Sequence, residues 1–342
     1  MMRHKYTKVL YTKKPGGILP QLVIAANENL QSKFVVQKVL ELREEGIRLQ
    51  DIAVLFRSSY LSFDLEIELA KANIPFLKFG GYKFIETAHV KDMVSYLRVL
   101  DNPRDVVAWN RILLLIEGVG PRTAERVIEN ILKRRVGPER ETSLQKFWQE
   151  YDGYPENVQQ LFSVLSRVVP DSISPPEKVA QILQYYEPMF RSRYDDWNKR
   201  LKDLEMFEQI SERYRSVSNF LTDLALEPPN ESVSDVVPPG KDDECLVLST
   251  IHSAKGLEWH SVFVIYTLDG RFPISRAAHD EDELEEERRI MYVACTRAKE
   301  NLFVTYPINI YDRESGTILS KPSRFIEGID EKLLEPWVID EE

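Results

Sequence analysis

The chain has 342 residues, enough for two domains each with a core of its own. With 43 % hydrophobic and 29 % charged residues and a formal net charge of −10, it is not a polycation that coats nucleic acid, so phosphate contacts would need local basic patches. No apolar run approaches the ~18 residues that cross a bilayer and MMRHKYTKVL lacks a signal-peptide core, so no membrane and a cytoplasmic setting are expected.

Residues 18 to 56 read as a strand (Ile18 to Ala25), a helix (Asn29 to Glu45) stopped by Gly46, and a strand (Ile52 to Phe56). That is a βαβ unit. In a parallel sheet ligands sit at the carboxyl ends of the strands, which marks Phe56-Arg57-Ser58-Ser59 as a candidate site. An amphipathic helix (Leu61 to Ala72), a short strand (Phe76 to Phe79), the turn Gly80-Gly81 and a helix (Ile85 to Leu100) follow.

From residue 104 to 238 the strand signals vanish. Helical patterns alternate with Pro170, Pro175-Pro176, Pro228-Pro229 and Pro238-Pro239, which predicts an all-helical insertion with hinges near Asn102-Pro103 and Pro238–Gly240. The expected domains are 1–103 and 239–342, two parts of one sheet domain, with 104–238 inserted. Within the insertion, LLLIEGVGPRTAERVIENIL reads helix, Gly118-Val119-Gly120, helix. A helix-hairpin-helix of this kind holds a DNA phosphate on backbone N–H groups of the turn and of the next helix, and Gly118, Gly120, Arg122 and Arg126 are its candidate duplex contacts. Residues 118 to 140 carry six cations against three acids, a patch suited to duplex backbone rather than bases.

After the insertion come an apolar strand (Cys245 to Leu248), a polar turn (Ser249 to Glu258) and a second apolar strand (Val262 to Tyr266). A buried parallel sheet presents a functional loop in this way. The run Asp280 to Glu287, seven acids in eight residues, reads as a solvated loop leading into a helix with Met291, Ala294 and Cys295 on its apolar face. Arg297 stands near the end of that helix, placed either to meet a phosphate or to neutralise carboxylates. The tail from Glu335 reads as frayed. Cys245 and Cys295 lie in apolar elements and read as reduced core residues, and five scattered histidines offer no ligand spacing, so no protein-built metal site is expected.

Three long segments carry a resemblance. IAVLFRSS with the following FGGYKFIETAHVKD, STIHSAKGLEW, and EEERRIMYVACTRAK resemble the fourth, fifth and sixth motifs of the UvrD/PcrA/Rep family of superfamily one DNA helicases, in that order. The resemblance implies an α/β fold, a RecA-like parallel-sheet domain of the P-loop NTPase type interrupted by the all-α insertion. It implies catalytic roles for Arg57 and Arg297 at the terminal phosphate of ATP. It places Phe56 against the adenine, where the family often has Tyr, and Gly256 and Glu258 in the ATP loop with Glu258 on the ribose. Thr250 and His252 would face single-stranded DNA. Trp259, where the family usually has Phe, reads as core filler.

No GxxxxGK followed by Ser or Thr occurs, nor an apolar strand ending in paired acids. By resemblance the chain is the carboxy-terminal half of a 3′–5′ helicase. Its ATP would be completed, and Mg²⁺ held, by an amino-terminal motor domain of the same protein. Single-stranded DNA and a duplex junction are the expected partners, and the chain alone is expected to be inactive. Two alternatives stay open: a catalytically incomplete nucleic-acid-binding or regulatory module, and the helicase portion of a helicase-nuclease.

Overall fold

The structure, a computed structural model, describes residues 16–133, 153–226, 244–312 and 316–340. The chain divides into two compact units, Met1–Lys83 with Glu227–Glu342, and Phe84–Leu226. The sequence had suggested a first boundary at 103. The helix Ala88–Asp101 instead packs against the helices that follow it, which draws the boundary back to residue 84. The second expected hinge, Pro238–Gly240, lies outside the described residues.

The first unit is built on a seven-stranded sheet in the order β3-β4-β2-β5-β6-β1-β9, with every neighbouring pair parallel. The strands are β1 (Gln21–Ala25), β2 (Ile52–Phe56), β3 (Phe76–Phe79), β4 (Leu246–Thr250), β5 (Trp259–Val264), β6 (Ala298–Pro307) and β9 (Glu335–Ile339), with a small antiparallel hairpin of β7 (Ile310–Asp312) and β8 (Thr317–Leu319). The interior strand β2 is buried along its whole length. Its period of two sends Ile52, Val54 and Phe56 to one face, among residues of the helices α1 (Glu28–Glu44) and α2 (Phe63–Lys71). Ala53 and Leu55 go to the other face, against Ile290, Met291 and Ala294 of a helix over Glu281–Cys295. The start of α1 is set by Asn27, whose side chain accepts the Leu30 N–H, and its end by Gly46 at φ +89.

Two expectations fail here. The tail from Glu335 is not frayed but forms β9, paired residue for residue with β1. The acidic run is not a solvated loop. Asp280 caps the helix by accepting the N–H groups of Asp282 and Glu283, and the acids after it occupy the positive end of the helix dipole. Glu285 pairs with Arg288 and Glu286 with Arg289, while Glu287 turns inward and is only 3 % exposed.

The second unit is helical: α3 (Ala88–Asp101), α4 (Val106–Leu113), α5 (Pro121–Lys133), α6 (Glu156–Val168), α7 (Pro175–Arg193), α8 (Trp197–Ser211) and α9 (Val217–Leu224), the sheet unit's helix over Glu281–Cys295 being α10. Buried Asp92 on α3 joins three elements by accepting from Arg111 Nε and from the Tyr186 hydroxyl, each at 2.6 Å. Burial first and the Asp92 carboxylate second hold the Tyr186 hydroxyl protonated far above its ordinary range.

Candidate functional site

The carboxyl ends of β2 and β4 meet side by side. Phe56 is in register with Thr250, the Ile251 N–H donates to the Phe56 carbonyl at 3.1 Å, and on the other flank Ile265 N–H donates to Leu55. These bonds fix the backbone on which Arg57 stands. Arg57 extends to α10, where Nε and Nη2 both donate to Oε1 of Glu287, at 2.8 and 2.6 Å. Phe56 is 0 % exposed, shares the parity of Ile52 and Val54, and packs in the core.

The loop after β4 is anchored by its apolar residues. Ile251 and Ala254 are buried, whereas His252, Ser253, Lys255, Gly256, Leu257 and Glu258 are exposed. Gly256 has φ +89, so the turn before Glu258 requires a residue without a Cβ. Thr250 binds Ser253 through its hydroxyl at 3.0 Å and heads the loop beside the Gly80-Gly81 turn. A Cβ on Gly80 would stand 2.2 Å from Thr250 Oγ1, and one on Gly81 2.1 Å from Ser59 Oγ. Trp259 is buried in the core beneath α10.

Beneath that turn lies a buried ion pair. Lys78 Nζ, its side chain 1 % exposed, meets Glu66 Oε1 at 2.7 Å, and Nζ also donates to the Ser59 carbonyl at 3.3 Å. Ser62 donates its hydroxyl to the same glutamate oxygen. The pair binds α2, β3 and the segment after Arg57 into one piece.

Arg297 follows α10 directly. Its Nε donates to the Val293 carbonyl at 3.0 Å, Nη1 to the Leu257 carbonyl at 2.8 Å and Nη2 to Thr296 Oγ1 at 3.1 Å. Both arginines are therefore tied to α10, Arg57 through the Glu287 carboxylate and Arg297 through the Val293 carbonyl.

In the helical unit, the turn between α4 and α5 contains Gly118 at φ +78 and Gly120, with Val119 buried between them. Arg122 and Arg126 are exposed on α5, and Asn157 of α6 steadies the turn by donating to the Glu117 carbonyl at 2.6 Å. Over residues 118–133 the described cations are Arg122, Arg126 and Lys133 against Glu125 and Glu129. The cations Arg134, Arg135 and Arg140 of the predicted patch lie outside the described residues.

Sequence reasoning passed over Glu287, Lys78, Glu66 and the close approach of Gly80 to Thr250. Glu287 had a signal, since it precedes Ile290, Met291 and Ala294 by three, four and seven positions and so shares their buried stripe.

Among known proteins, the UvrD-like helicase C-terminal domain family matches residues 3–308. A Staphylococcus epidermidis protein named ATP-dependent DNA helicase PcrA is 31 % identical over 96 % of this chain and 46 % of its own length. A Staphylococcus aureus protein of the same name is 32 % identical over the same shares. The chain thus spans about half the length of the curated relatives it matches.

Proposed function

Because this chain belongs to the UvrD-like helicase family and carries its carboxy-terminal domain, we propose that it forms one wall of the ATP cleft of a DNA translocase moving 3′ to 5′. In this reading the other wall, in an amino-terminal motor domain of the same protein, holds the phosphates and Mg²⁺. The sheet unit supplies Arg57 and Arg297 to the terminal phosphate, Glu258 to the ribose and Gly256 to the turn that presents it. Thr250 and His252 contact single-stranded DNA. Gly118, Gly120, Arg122 and Arg126 of the helical insertion hold the duplex backbone. The cytoplasm is its place of work, and the 342 residues alone turn over no ATP.

The observation that carries this reading is the pairing of β2 with β4, which sets Arg57 next to the head of the Thr250 loop. A guanidinium aimed at phosphate and a loop aimed at DNA then share one rigid edge, and closure of the cleft is felt at the loop. No helix among the described residues is long and apolar enough to cross a membrane.

The test is Arg297→Ala in the protein carrying both walls of the cleft. An arginine that neutralises transition-state charge is worth ~10³ or more in kcat. Turnover within a few-fold of wild type would overturn the reading, and directional translocation on single-stranded tracks would check the 3′ to 5′ polarity.

A further inference from the structure

We infer that Glu287 is the positioning residue that presents Arg57 to the terminal phosphate; the inference rests on the ATP-cleft reading above. The argument starts from where the carboxylate lies. Glu287 sits on the buried stripe of α10 with Ile290, Met291 and Ala294, where an apolar side chain would ordinarily pack. A charge at such a position is costly unless it is paired and hydrogen-bonded. Its partner is Arg57, 230 residues away in sequence.

The glutamates next to it do not compete for that arginine. Glu285 and Glu286 are taken up within α10 by Arg288 and Arg289.

The geometry of the pair shows what it achieves. Both Arg57 bonds fall on one oxygen, Oε1, and both come from the Nε–Nη2 edge of the guanidinium. A guanidinium has five N–H donors, so two bonds leave three, two of which point from the outer end of the fork. That end is the one a phosphate would meet with two parallel hydrogen bonds. With the carbonyls of Leu55 and Phe56 each held by a neighbouring strand's N–H and the inner edge of the head fixed by Glu287, Arg57 is held at its root and at its tip. It has no large arc to search when phosphate arrives, which is the condition for lowering a barrier without reorganisation. The second oxygen, Oε2, is buried with no hydrogen-bond partner among the described residues. Since Oε1 alone carries the contact, a glutamine's carbonyl oxygen could take both bonds, which separates orientation from charge.

The experiment is a double-mutant cycle on ATP turnover in the protein carrying both walls of the cleft, with Arg57→Ala, Glu287→Ala, Glu287→Gln and the pairs R57A/E287A and R57A/E287Q. Losing a charge-assisted hydrogen bond that orients a catalytic group is expected to lower kcat by about 10- to 100-fold in E287A, with the KM for ATP within about threefold. E287Q, keeping the acceptor, should lose about three- to tenfold. On the R57A background the replacements at 287 should add nothing further, because a positioning residue acts through the group it positions. Undiminished losses on that background would overturn the inference while leaving Arg57 in its role. A higher kcat or a lower KM in E287A would also overturn it, showing that the carboxylate merely screens Arg57. Unchanged turnover in R57A itself would instead remove the ATP-cleft reading. If E287A does not fold, as thermal unfolding would show, E287Q and R57A/E287Q close the cycle on their own.

Discussion

The Lys78–Glu66 pair offers a sharp test of how the site edge is held. Both side chains are almost fully buried, at 1 and 6 % exposure, and the ammonium is shared between the carboxylate at 2.7 Å and the Ser59 carbonyl at 3.3 Å. The rings of Phe63 and Phe56, 4.6 and 5.8 Å from Nζ, form an apolar and electron-rich wall around it. Replacing Lys78 by Met keeps the volume but takes the cation away from the buried Glu66 carboxylate, which keeps the Ser62 hydroxyl among its neighbours. Breaking one partner of such a pair costs about 3–5 kcal/mol, whereas replacing both by apolar groups is neutral or even stabilising. For a body of this size 1 kcal/mol shifts the melting temperature by ~2–4 °C, so K78M should melt about 6–20 °C lower. K78M/E66L should melt within a few degrees of wild type. The assay is thermal unfolding at neutral pH, followed by hydrogen exchange at the amides of β2 and β3 so that the sheet unit is read separately from the helical one. If K78M and K78M/E66L melt at the same lowered temperature, the pair is solvated and does not hold the edge together.

At the turn beside it, Gly80→Ala meets two penalties: φ +81, which for Ala costs ~1–2 kcal/mol, and a Cβ 2.2 Å from Thr250 Oγ1. Thermal unfolding should show a loss larger than φ alone explains, and Thr250→Ala in the same chain should recover part of the excess, the rest coming from Ser253 Oγ at 2.7 Å. In the helical unit, Arg122→Ala with Arg126→Ala should weaken duplex-junction binding for all sequences and lower the slope of log affinity against log salt by ~1.8, with single-strand binding nearly unchanged. Equal losses on both kinds of DNA, in a salt titration by fluorescence anisotropy, would make the hairpin an ordinary turn.

What could be read from the sequence was what local rules govern. The α1 helix announced its end by Gly46, and β2 showed itself by five apolar residues in a row; both were found within a few residues of their predicted limits. Within β2 the period of two puts Phe56 on the side of Ile52 and Val54, so its burial in the core was legible once the strand was read. Other features had no local signal. Helix α3 looks the same whether it packs on a sheet or on helices, so the unit boundary depended on contacts tens of residues away. The strand β9 is short, lies at the sheet edge, and gains its identity only from β1, more than 300 residues earlier. The doublet Gly80-Gly81 signals a turn, and what it turns against, Ser59 and Thr250, follows from the fold alone.

The two arginines are parked on acceptors of unequal strength, and the inequality fixes which one moves. Arg57 is held by a buried carboxylate, and a bond between two charged groups with little solvent is the stronger kind. Arg297 is held by two backbone carbonyls and a hydroxyl on an exposed surface, neutral acceptors for which water substitutes at small cost. On the proposed reading a phosphate entering the cleft therefore meets an Arg57 already set, and recruits Arg297 by drawing it from the Leu257 carbonyl. Leu257 lies between Gly256 and Glu258, in the loop that Thr250 heads, so the recruitment unties one end of that loop while β4 keeps the other fixed. On that reading the 2.8 Å bond from Arg297 to Leu257 adds a short-range, breakable link to the rigid β2–β4 edge between the nucleotide side and the DNA side of the loop.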